Sequence, residues 1–588
     1  METTRRAYFI RFAIVAAVLL VAACIFAGVT AKSAYAFTYS KTIYVSGITT
    51  GTKNKASQNT SAIQIALDKA TQSSVSDNSR LRVRIYSSGT VYINDTLLIY
   101  SNTTLELGDN TVIRMTNGTT EYMLRNAHEH SNGYTYFGST SACVASSCGG
   151  YKQSRNIIVR GGAWKQYAAN TANETRIFSL RHCKNITLEN IEMYYANEHF
   201  INMSATYNAT ITDVNFHKSY KWTNKSNDDY AAIEALHLDY SEDEGEPYLY
   251  PQDDTPCKCI TVSNCTFDNV HAGVGTHMHN NHVSTNSYGS NIVVQNCTFK
   301  EMEGRAINFT NFNYSKALNN TINFAQVAIN IVGGSNITVS GNTTNYCLSS
   351  FIKCYNASNV TFTKNVGNYG CMNDEKNDSG FYFENSKATL TSNTVNTVPG
   401  IGIYMRLGGT YTVKGNTVHG CGTFGIRTIG TSSKYCKATI SGNSLYGNTK
   451  YDVYLASYTK YSTVSENTFS KGIYKVGTDL VSNTISQNFY RSSSVSKTSV
   501  SSLTKYSSGI KVAWKKNSTA KGYIVYRSIN GGLYKRIKTI TSASTVSYFD
   551  SAAKTKDTRY RYKVVAYKTV GGVTYVAVSA GSSKALTR

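Results

Sequence analysis

Short segments of alternating apolar and polar residues recur along most of the chain, together with a repeated phrase. The phrase is close to Asn-Ile-Thr-Val-x-x-Asn-Thr and occurs, for example, at residues 185–190, 259–264, 336–342 and 359–365. Its last Asn returns most often after about 23 residues, as from Asn342 to Asn365. A period-2 strand in a repeat of this length predicts one coil of a parallel β-helix, with coils about 4.8 Å apart and Asn side chains stacked at a turn. The Leu-x-x-Leu-x-Leu frame of a leucine-rich repeat is absent.

A second strand can be aligned in five coils, at residues 200–203, 236–239, 274–277, 307–310 and 329–331. Each alternates apolar and polar residues, so one face should point inward and the other outward. The alignment therefore predicts two outward rows on one exposed sheet face. The first row contains Asn202, His237, Gly275, Asn308 and Asn330, and the second contains Asp239, His277 and Thr310.

Three segments near the N-terminus carry a resemblance to a known superfamily. They are Ser61-Ala-Ile-Gln-Ile-Ala-Leu-Asp68, Gly89-Thr-Val-Tyr-Ile93 and Ser101-Asn-Thr-Thr-Leu-Glu-Leu107. With the Asn repeat, they resemble the N-terminal cap and coils of the pectate-lyase-like right-handed parallel β-helix superfamily over about residues 40 to 490. The resemblance implies an all-β solenoid, which we place at residues 37–490, with a surface groove that binds polysaccharide. It leaves the reaction open, because that superfamily contains hydrolases, lyases, epimerases, phage tailspikes and adhesins.

The repeat stops after Phe489, and the following residues predict a second domain. The Ser-rich residues 491–502 are typical of a linker. Residues 503–588 contain short alternating strands and predict a small β-sandwich. The strand that ends at Trp514 and the tyrosine-bearing segment 560–567 resemble a fibronectin type III domain. We expect Trp514 and Tyr562 to lie in its core and assign it no catalysis.

The first 36 residues are typical of a secretory signal peptide. Arg5, Arg6 and Arg11 precede an apolar run, and Ala34 and Ala36 form a small-residue cleavage site. A lipoprotein signal is the alternative, because residues 21–23 are small or apolar and precede a Cys at position 24. No other apolar stretch approaches the roughly 20 residues of a membrane span, so we expect a secreted, extracellular or cell-surface protein.

Composition and charge narrow the possible classes of protein. The chain has 588 residues, 41% hydrophobic and 16% charged, with only four Pro, which excludes a disordered, collagen-like or multi-span membrane protein. The net charge is +24, and from Thr498 to Arg588 there are 17 basic residues against Asp550 and Asp557. Such a domain should be attracted to anionic cell-wall polymers. No basic-aromatic motif suggests nucleic acid.

Candidate chemistry is concentrated where the repeat is interrupted, between Asp213 and Asn264. Five of the 11 His residues fall between His237 and His282, and insertions in a solenoid often form its binding face. Cleavage of a glycosidic bond needs either two carboxylates, or a base beside a uronate whose charge a cation neutralises. The candidate catalytic residues are Asp239, His237, His277, Asp228 and Asp229. The candidate substrate-binding residues are Asn202, Glu234, His279, Arg305 and Asn308, with Arg305 able to hold a carboxylate by a bidentate contact.

The alternative is that these outward side chains only bond to one another along a solvated sheet beside an acidic loop. Polygalacturonases of this superfamily carry Asn-x-Asp, Asp-Asp, Gly-His-Gly and Arg-x-Lys on successive coils. Here only Asp228-Asp229 has a literal counterpart, and Gly275-Thr-His277 is a loose echo, which favours a different hydrolase or lyase.

No motif requires a cofactor. Calcium is the cofactor that hard oxygen ligands would favour, among Asp228, Asp229, Asp239 and Glu242, but no EF-hand or glycine-aspartate repeat supports it. Zinc could use the imidazoles of residues 277, 279 and 282, but we favour an exposed histidine loop that binds no metal.

Twelve of the 13 Cys follow the signal peptide, in a compartment where disulfides form. Cys265 and Cys297 occupy the same place in adjacent coils and should either bond or stack as buried thiols. Weaker candidate pairs are Cys143 with Cys148, Cys347 with Cys371, and Cys421 with Cys436.

Together these observations predict a secreted enzyme that cleaves a polysaccharide by hydrolysis or β-elimination, and the carboxylate contact proposed for Arg305 would suit an acidic polysaccharide. A glycan-binding adhesin without catalysis is the alternative, and a carbohydrate epimerase is the third hypothesis.

Overall fold

The computed structural model describes residues 39–71, 80–130, 133–135, 149–167, 173–221, 233–241, 251–276, 288–372, 379–578 and 581–588. The predicted signal peptide and the candidates Asp228, Asp229, His277 and His279 lie outside these residues. In the part of the chain that the structure describes, no helix is long and apolar enough to cross a membrane.

One α-helix, Ala56–Thr71, follows the 3-10 turn Lys53–Lys55 and packs on the first coil. Its Ile63 and Leu67 are fully buried in the core. The Gln64 amide takes the place of a neighbouring strand, because Nε2 donates to the Leu98 carbonyl at 3.2 Å and Oε1 accepts from the Leu98 N–H at 2.8 Å. The helix thus lies where the resemblance predicts an N-terminal cap.

The following strands wind into a parallel β-helix in which each full coil visits three sheets, named A, B and C in chain order. Sheet A contains Tyr39–Tyr44, Arg80–Ile85, Thr103–Leu107, Ser154–Arg160, Lys258–Ser263, Gly289–Gln295, Phe312–Asn313, Lys316–Leu318, Thr338–Ser340, Val360–Thr363, Cys436–Ser441, Thr463–Ser465 and Thr484–Ser486.

Sheet B contains Thr90–Ile93, Val112–Met115, Ala163–Lys165, Thr266–Asp268, Thr298–Lys300, Thr321–Ala325, Thr343–Cys347, Val366–Asn368, Thr394–Val398, Thr417–Cys421, Ser444–Tyr446, Thr468–Phe469 and Phe489–Ser492. Sheet C contains Leu97–Ile99, Leu124–Asn126, Glu234–Asp239, Ala272–Gly275, Arg305–Thr310, Val327–Val332, Ile352–Tyr355, Phe424–Ile429, Tyr451–Leu455 and Ile473–Lys475.

Four long strands bend from one sheet into the next. Phe178–Tyr194 and Ile201–His217 pass through all three sheets, and Ser379–Thr391 and Ile401–Lys414 pass from sheet C into sheet A. A separate hairpin pairs His128–His130 with Gly133–Thr135.

Identical side chains stack inside the solenoid because equivalent residues of successive coils lie directly over one another. The rings of Phe216 and Phe267 are parallel within 8° with centroids 4.5 Å apart, and Phe299 continues the stack at 4.7 Å. All three rings are fully buried, so each coil stabilises its neighbours through apolar contact.

A buried ladder of Asn side chains runs along the turn between sheets A and B. Each amide donates to the Oδ1 atom of the next member, at 2.9 Å from Asn320 to Asn342 and at 3.0 Å from Asn365 to Asn393. The members are Asn320, Asn342, Asn365, Asn393, Asn416, Asn443, Asn467 and Asn488. The predicted Asn stack is therefore confirmed for these coils.

The same prediction is wrong by one residue in the earlier coils. Asn190, Asn264 and Asn296 adopt positive φ angles of 55–56° at the turn itself. The residue after them takes the ladder position, as Cys297 does when its N–H donates to Asn320 Oδ1 at 2.9 Å. The repeated sequence motif does not reveal this difference, because Asn is favoured at both positions. At the turn it readily adopts a left-handed backbone conformation, and at the ladder position its side-chain amide forms hydrogen bonds.

The C-terminal residues form an antiparallel sandwich of two sheets. One sheet contains Val500–Tyr506, Gly509–Trp514 and Ser547–Asp550. The other contains Lys535–Ile540, Gly522–Ile529, Arg559–Val570, Val573–Ala577 and Lys584–Thr587. Trp514 and Tyr562 are buried in its core, as predicted. The resemblance to a fibronectin type III domain stays a prediction.

This sandwich is joined to the solenoid by strand pairing. Phe489–Ser492, in the last coil of sheet B, pairs in parallel with Val573–Ala577. Val576 and Phe489 are buried in a shared apolar cluster, and Arg536 Nη2 lies 2.9 Å from Glu466 Oε1 of the solenoid. The basic domain therefore continues sheet B and covers the end of that sheet.

The proposed disulfides are not formed among the described residues. Cys265 and Cys297 are buried free thiols that donate to backbone carbonyls, so the stacking alternative holds for them. Cys347, Cys421 and Cys436 are also free thiols, and the pairings proposed for them are wrong. The Cys143–Cys148 pair lies outside the described residues.

Candidate functional site

The outward row on sheet C has the predicted register. Asn202 pairs with His237, His237 with Gly275, Gly275 with Asn308, and Asn308 with Asn330. The expectation of an exposed face is wrong for this part of the sheet, because Asn202, His237 and Asn308 are 2%, 4% and 1% exposed. Polar side chains that leave water must find partners, so their contacts define a closed polar cluster.

Two imidazole rings form the centre of this cluster. The rings of His199 and His237 stack with centroids 4.0 Å apart and planes inclined by 23°. His199 Nδ1 lies 2.6 Å from the backbone carbonyl of Glu234, which makes that nitrogen the N–H donor. The other ring nitrogen of His199 faces Glu198, with 3.7 Å between Nε2 and Oε1.

His237 has an acidic neighbour on one side and a hydroxyl on the other. Its Nδ1 lies 3.8 Å from Asp239 Oδ2, and its Nε2 lies 3.4 Å from Thr276 Oγ1. Asp239 Oδ1 also accepts the N–H of Tyr240 at 2.7 Å, which fixes the carboxylate. At 3.8 Å the carboxylate lies beyond hydrogen-bond distance of Nδ1, so Asp239 is an acidic neighbour of the ring and not a hydrogen-bonded partner that orients it.

Asn308 links a second carboxylate to the next coils. Its amide donates to Glu234 Oε1 at 2.9 Å and to the Thr276 carbonyl at 2.8 Å. Asn330 then donates to Asn308 Oδ1 at 2.8 Å. Glu234 is fully buried, so this amide contact helps to hold a carboxylate away from water.

The structure thus brings together five of the sequence candidates: Asn202, Glu234, His237, Asp239 and Asn308. Arg305 begins the neighbouring strand, but its side chain forms no hydrogen bond or ion pair with the described residues. Asp228, Asp229, His277 and His279 lie outside the described residues.

Glu198 and His199 were missed by the sequence reasoning. They precede the strand that begins at Ile201, in the turn from sheet B to sheet C, where the alternation of apolar and polar residues does not extend. The signal that could have found them is the alignment of Ile201 with Leu236, which places His199 opposite Glu234 on the next coil.

Two other buried histidines lie outside the cluster and form hydrogen bonds between distant segments of the chain. His271 Nδ1 lies 2.8 Å from Glu303 Oε2, and this hydrogen bond lowers the pKa of Glu303. His182 contacts the Gly150 carbonyl at 2.7 Å and Ser241 Oγ at 2.7 Å, and burial lowers the pKa of His182. His271 belongs to the histidine-rich stretch of the sequence, but its contacts differ from those of the stacked pair.

Among the residues that the structure covers, no group of three or more His, Cys, Asp or Glu is arranged to hold a metal ion. Of the four proposed calcium ligands, only Asp239 belongs to the described part, and the three histidines proposed for zinc lie outside it.

Comparison with known proteins adds information about the fold. The family model described as "Right handed beta helix region" matches residues 286–438 and 379–535. No curated protein matches the chain by sequence.

Three solved structures illustrate what the fold is similar to. The surface adhesin PfbA of Streptococcus pneumoniae is 16% identical, with a TM-score of 0.49, and the match covers 70% of this chain and 91% of the adhesin. The A-module of a mannuronan C-5 epimerase of Azotobacter vinelandii is 12% identical, with a TM-score of 0.44 and coverage of 76% and 99%. An alpha-1,3-glucanase of Streptomyces thermodiastaticus is 13% identical, with a TM-score of 0.39 and coverage of 76% and 68%.

These identities are too low to transfer a residue role or a substrate. The family model and the three-sheet winding agree on the architecture. The solenoid of this chain has the fold of a right-handed parallel β-helix.

Proposed function

We propose that this protein is a secreted enzyme that cleaves a polysaccharide, and that the buried cluster on sheet C carries the acid–base chemistry. The observation that carries the proposal is the stacked pair His199 and His237, with Glu198 and Asp239 within 4 Å of its nitrogens. A structural row needs no pair of imidazoles, whereas proton transfer to and from a sugar requires groups of this type.

The cluster offers distinct groups for the two halves of the reaction. His237, with Asp239 beside its Nδ1, would take a proton from the substrate or from water through Nε2. Glu198 or Glu234 would supply the carboxyl group that donates a proton to the leaving glycosidic oxygen, because both lie in the cluster with the stacked rings. Hydrolysis adds water across the bond, whereas a lyase removes the proton beside a uronate carboxylate and leaves a double bond.

A glycan-binding role without catalysis is the second candidate. The chain of contacts from Asn330 through Asn308 to Glu234 satisfies its own hydrogen-bonding groups, as a purely structural row would. The 17 basic residues after Thr498 would hold either kind of protein on an anionic cell wall.

Products of the purified mature chain, residues 37–588, decide between these functions. We would incubate it with uronate and neutral polysaccharides and record new reducing ends together with the ultraviolet absorbance of unsaturated uronates. Reducing ends alone identify a hydrolase, and both signals identify a lyase. Solvent deuterium gained by the polymer without cleavage identifies an epimerase.

The variant His237→Gln should abolish the product while the chain stays folded. His217→Gln is the matched control, because His217 also faces outward and contacts a carboxylate, Glu192, at 2.7 Å on sheet B. No product on any glycan, with binding retained, would contradict catalysis and favour the adhesin.

A further inference from the structure

The outward row that contains His237 and Asn308 continues along sheet C in six further coils. Its next members, paired in register, are Lys353, Tyr382, Tyr404, Arg427, Tyr454 and Tyr474, which we name the aromatic row. Unlike the buried cluster, these side chains are half-buried or exposed, and Tyr474 is 40% exposed. One face of one sheet therefore changes from closed and polar to open and aromatic.

The rings in this row pack against one another and leave their outer surfaces accessible. Tyr382 and Tyr404 meet edge to face with centroids 5.8 Å apart. Tyr454 stacks with Phe424 at 4.3 Å and lies 5.8 Å from Tyr474. Such contacts fix the rings, which lowers the entropy that would be lost when a ligand binds on them.

Arg427 lies among three of these rings and forms no ion pair with a carboxylate of the described residues. Its guanidinium carbon is 5.0 Å from the Tyr404 centroid, 5.6 Å from that of Tyr454 and 5.8 Å from that of Phe424. Its Nε–H is buried and donates to no acceptor among the described residues. The rings thus hold the cation in place, and a ligand would be bound through its two Nη groups.

In the neighbouring outward row, by contrast, an arginine lies beside a carboxylate that balances its charge. There Arg406 Nε lies 3.6 Å from Glu384 Oε2, and the Tyr382 hydroxyl donates to the same carboxylate. The aromatic row itself carries two cations, Lys353 and Arg427, and no carboxylate. Its charge is therefore complementary to an anion, and its rings are suited to the flat faces of sugars.

We infer that the aromatic row binds an anionic polysaccharide chain that lies along sheet C, with sugar faces on the tyrosines and acid groups at Arg427 and Lys353. The inference rests on the proposed function in one respect, which is that the polymer runs from the aromatic row towards the buried cluster. Asn308 of that cluster and Arg427 occupy the same row, five coils apart. At about 4.8 Å per coil, roughly 24 Å separates the cluster from this cation. Only a chain of several sugar units spans that distance.

Binding to the full mature chain tests the inference, with polygalacturonate and alginate as anionic probes and dextran as the neutral probe. Arg427→Gln and Tyr404→Ala should each weaken the binding of an anionic polymer about tenfold or more, because each removes a charge-assisted or stacking contact. Lys437→Gln is the control for charge, since it removes the same charge from an exposed position on sheet A. Tyr369→Ala is the control for the ring, since Tyr369 is stacked and exposed near sheet B.

Unchanged affinity in Arg427→Gln, an equal loss in Lys437→Gln, or equally tight binding of dextran would overturn the inference. Thermal unfolding of each variant shows whether it is folded, and Arg427→Lys should recover part of the affinity in a folded chain.

The same set separates this inference from the proposed function. If the wild type releases no product but Arg427→Gln loses polymer binding, the inference stands and catalysis fails. If His237→Gln abolishes turnover while Arg427→Gln binds the polymer normally, catalysis stands and the inference fails.

Discussion

His199 and His237 stack face to face at 4.0 Å although they belong to neighbouring coils of the solenoid. Glu198 Oε1 lies 3.7 Å from His199 Nε2, and Asp239 Oδ2 lies 3.8 Å from His237 Nδ1, so each ring has its own carboxylate neighbour. The stack therefore gathers two imidazoles and two carboxylates, which are the groups that proton transfer requires.

Replacement of His199 by Phe separates packing from proton transfer. Phe keeps an aromatic ring over His237 but removes both nitrogens, so turnover should fall about 100-fold or more if His199 exchanges protons. His199→Gln, which loses the ring, should behave similarly in turnover but unfold at a lower temperature. Full activity in His199→Phe would show that the ring only packs.

Stability should decrease in mild acid because of His182. Burial lowers its pKa below the ordinary value of 6.5, so the unfolded chain binds more protons than the folded chain as the pH falls below 6.5. The contribution of neutral His182 is therefore complete above pH 6.5 and declines below it. The difference in unfolding free energy between the wild type and His182→Gln, measured from pH 8 to 5, should shrink in acid, and a constant difference would contradict this assignment.

Interruption of the Asn ladder should markedly lower the free energy of unfolding. Asn393→Ala leaves the Asn365 amide and backbone N–H without their acceptor and removes the donor to Asn416, which should cost about 3 kcal/mol or more. Asn396→Ala removes an amide from the outer face of sheet B in the same coil and should cost less than about 1 kcal/mol. Urea unfolding of both variants measures the difference, and equal losses would mean that the ladder adds no special stability.

Docking of the C-terminal domain should depend on Val576. This side chain is 4% exposed and lies between the solenoid and the sandwich, so Val576→Asp would bury a charge and separate the two domains. Val578→Asp is the control, because Val578 is 54% exposed just beyond the same strand. We expect rapid protease cleavage near residue 493 in Val576→Asp only, and identical cleavage in both variants would argue against this interface.

The buried thiols should resist modification in the native protein. Burial raises the pKa of Cys436 to about 12 and that of Cys265 well above its ordinary value, so little reactive thiolate forms at neutral pH. A thiol reagent should label both residues only after denaturation, as mass spectrometry of the labelled peptides would show. Rapid labelling of Cys265 in the folded chain would contradict the stacked arrangement.

Sequence alone predicted the coil and the register of the row on sheet C, because period 2 and a nearly constant spacing determine both. It did not predict burial: the polarity of Asn202, His237 and Asn308 suggested water, whereas mutual hydrogen bonds allow them to be enclosed. Glu198 and His199 were not predicted, because they lie in a turn and the alternation of apolar and polar residues does not extend into turns.

The sequence analysis did not identify the aromatic row, for a different reason. Tyr382, Tyr404 and Tyr454 occupy the same offset as Asn308 within their coils, but the alignment of the second strand ended at residues 329–331 and did not reach them. Tyrosine is so frequent in this chain, at 45 residues, that its recurrence carried little weight until the strands were paired.

Each amide of the Asn ladder contacts only the coil before and the coil after its own, and every member makes the same contact. Loss or duplication of a segment from one ladder Asn to the next would therefore rejoin equivalent partners. Evolution can lengthen or shorten such a protein by whole coils, moving Arg427 nearer to or farther from the cluster in steps of about 4.8 Å. The ladder therefore allows the length of polymer that the protein can contact to change during evolution, one coil at a time.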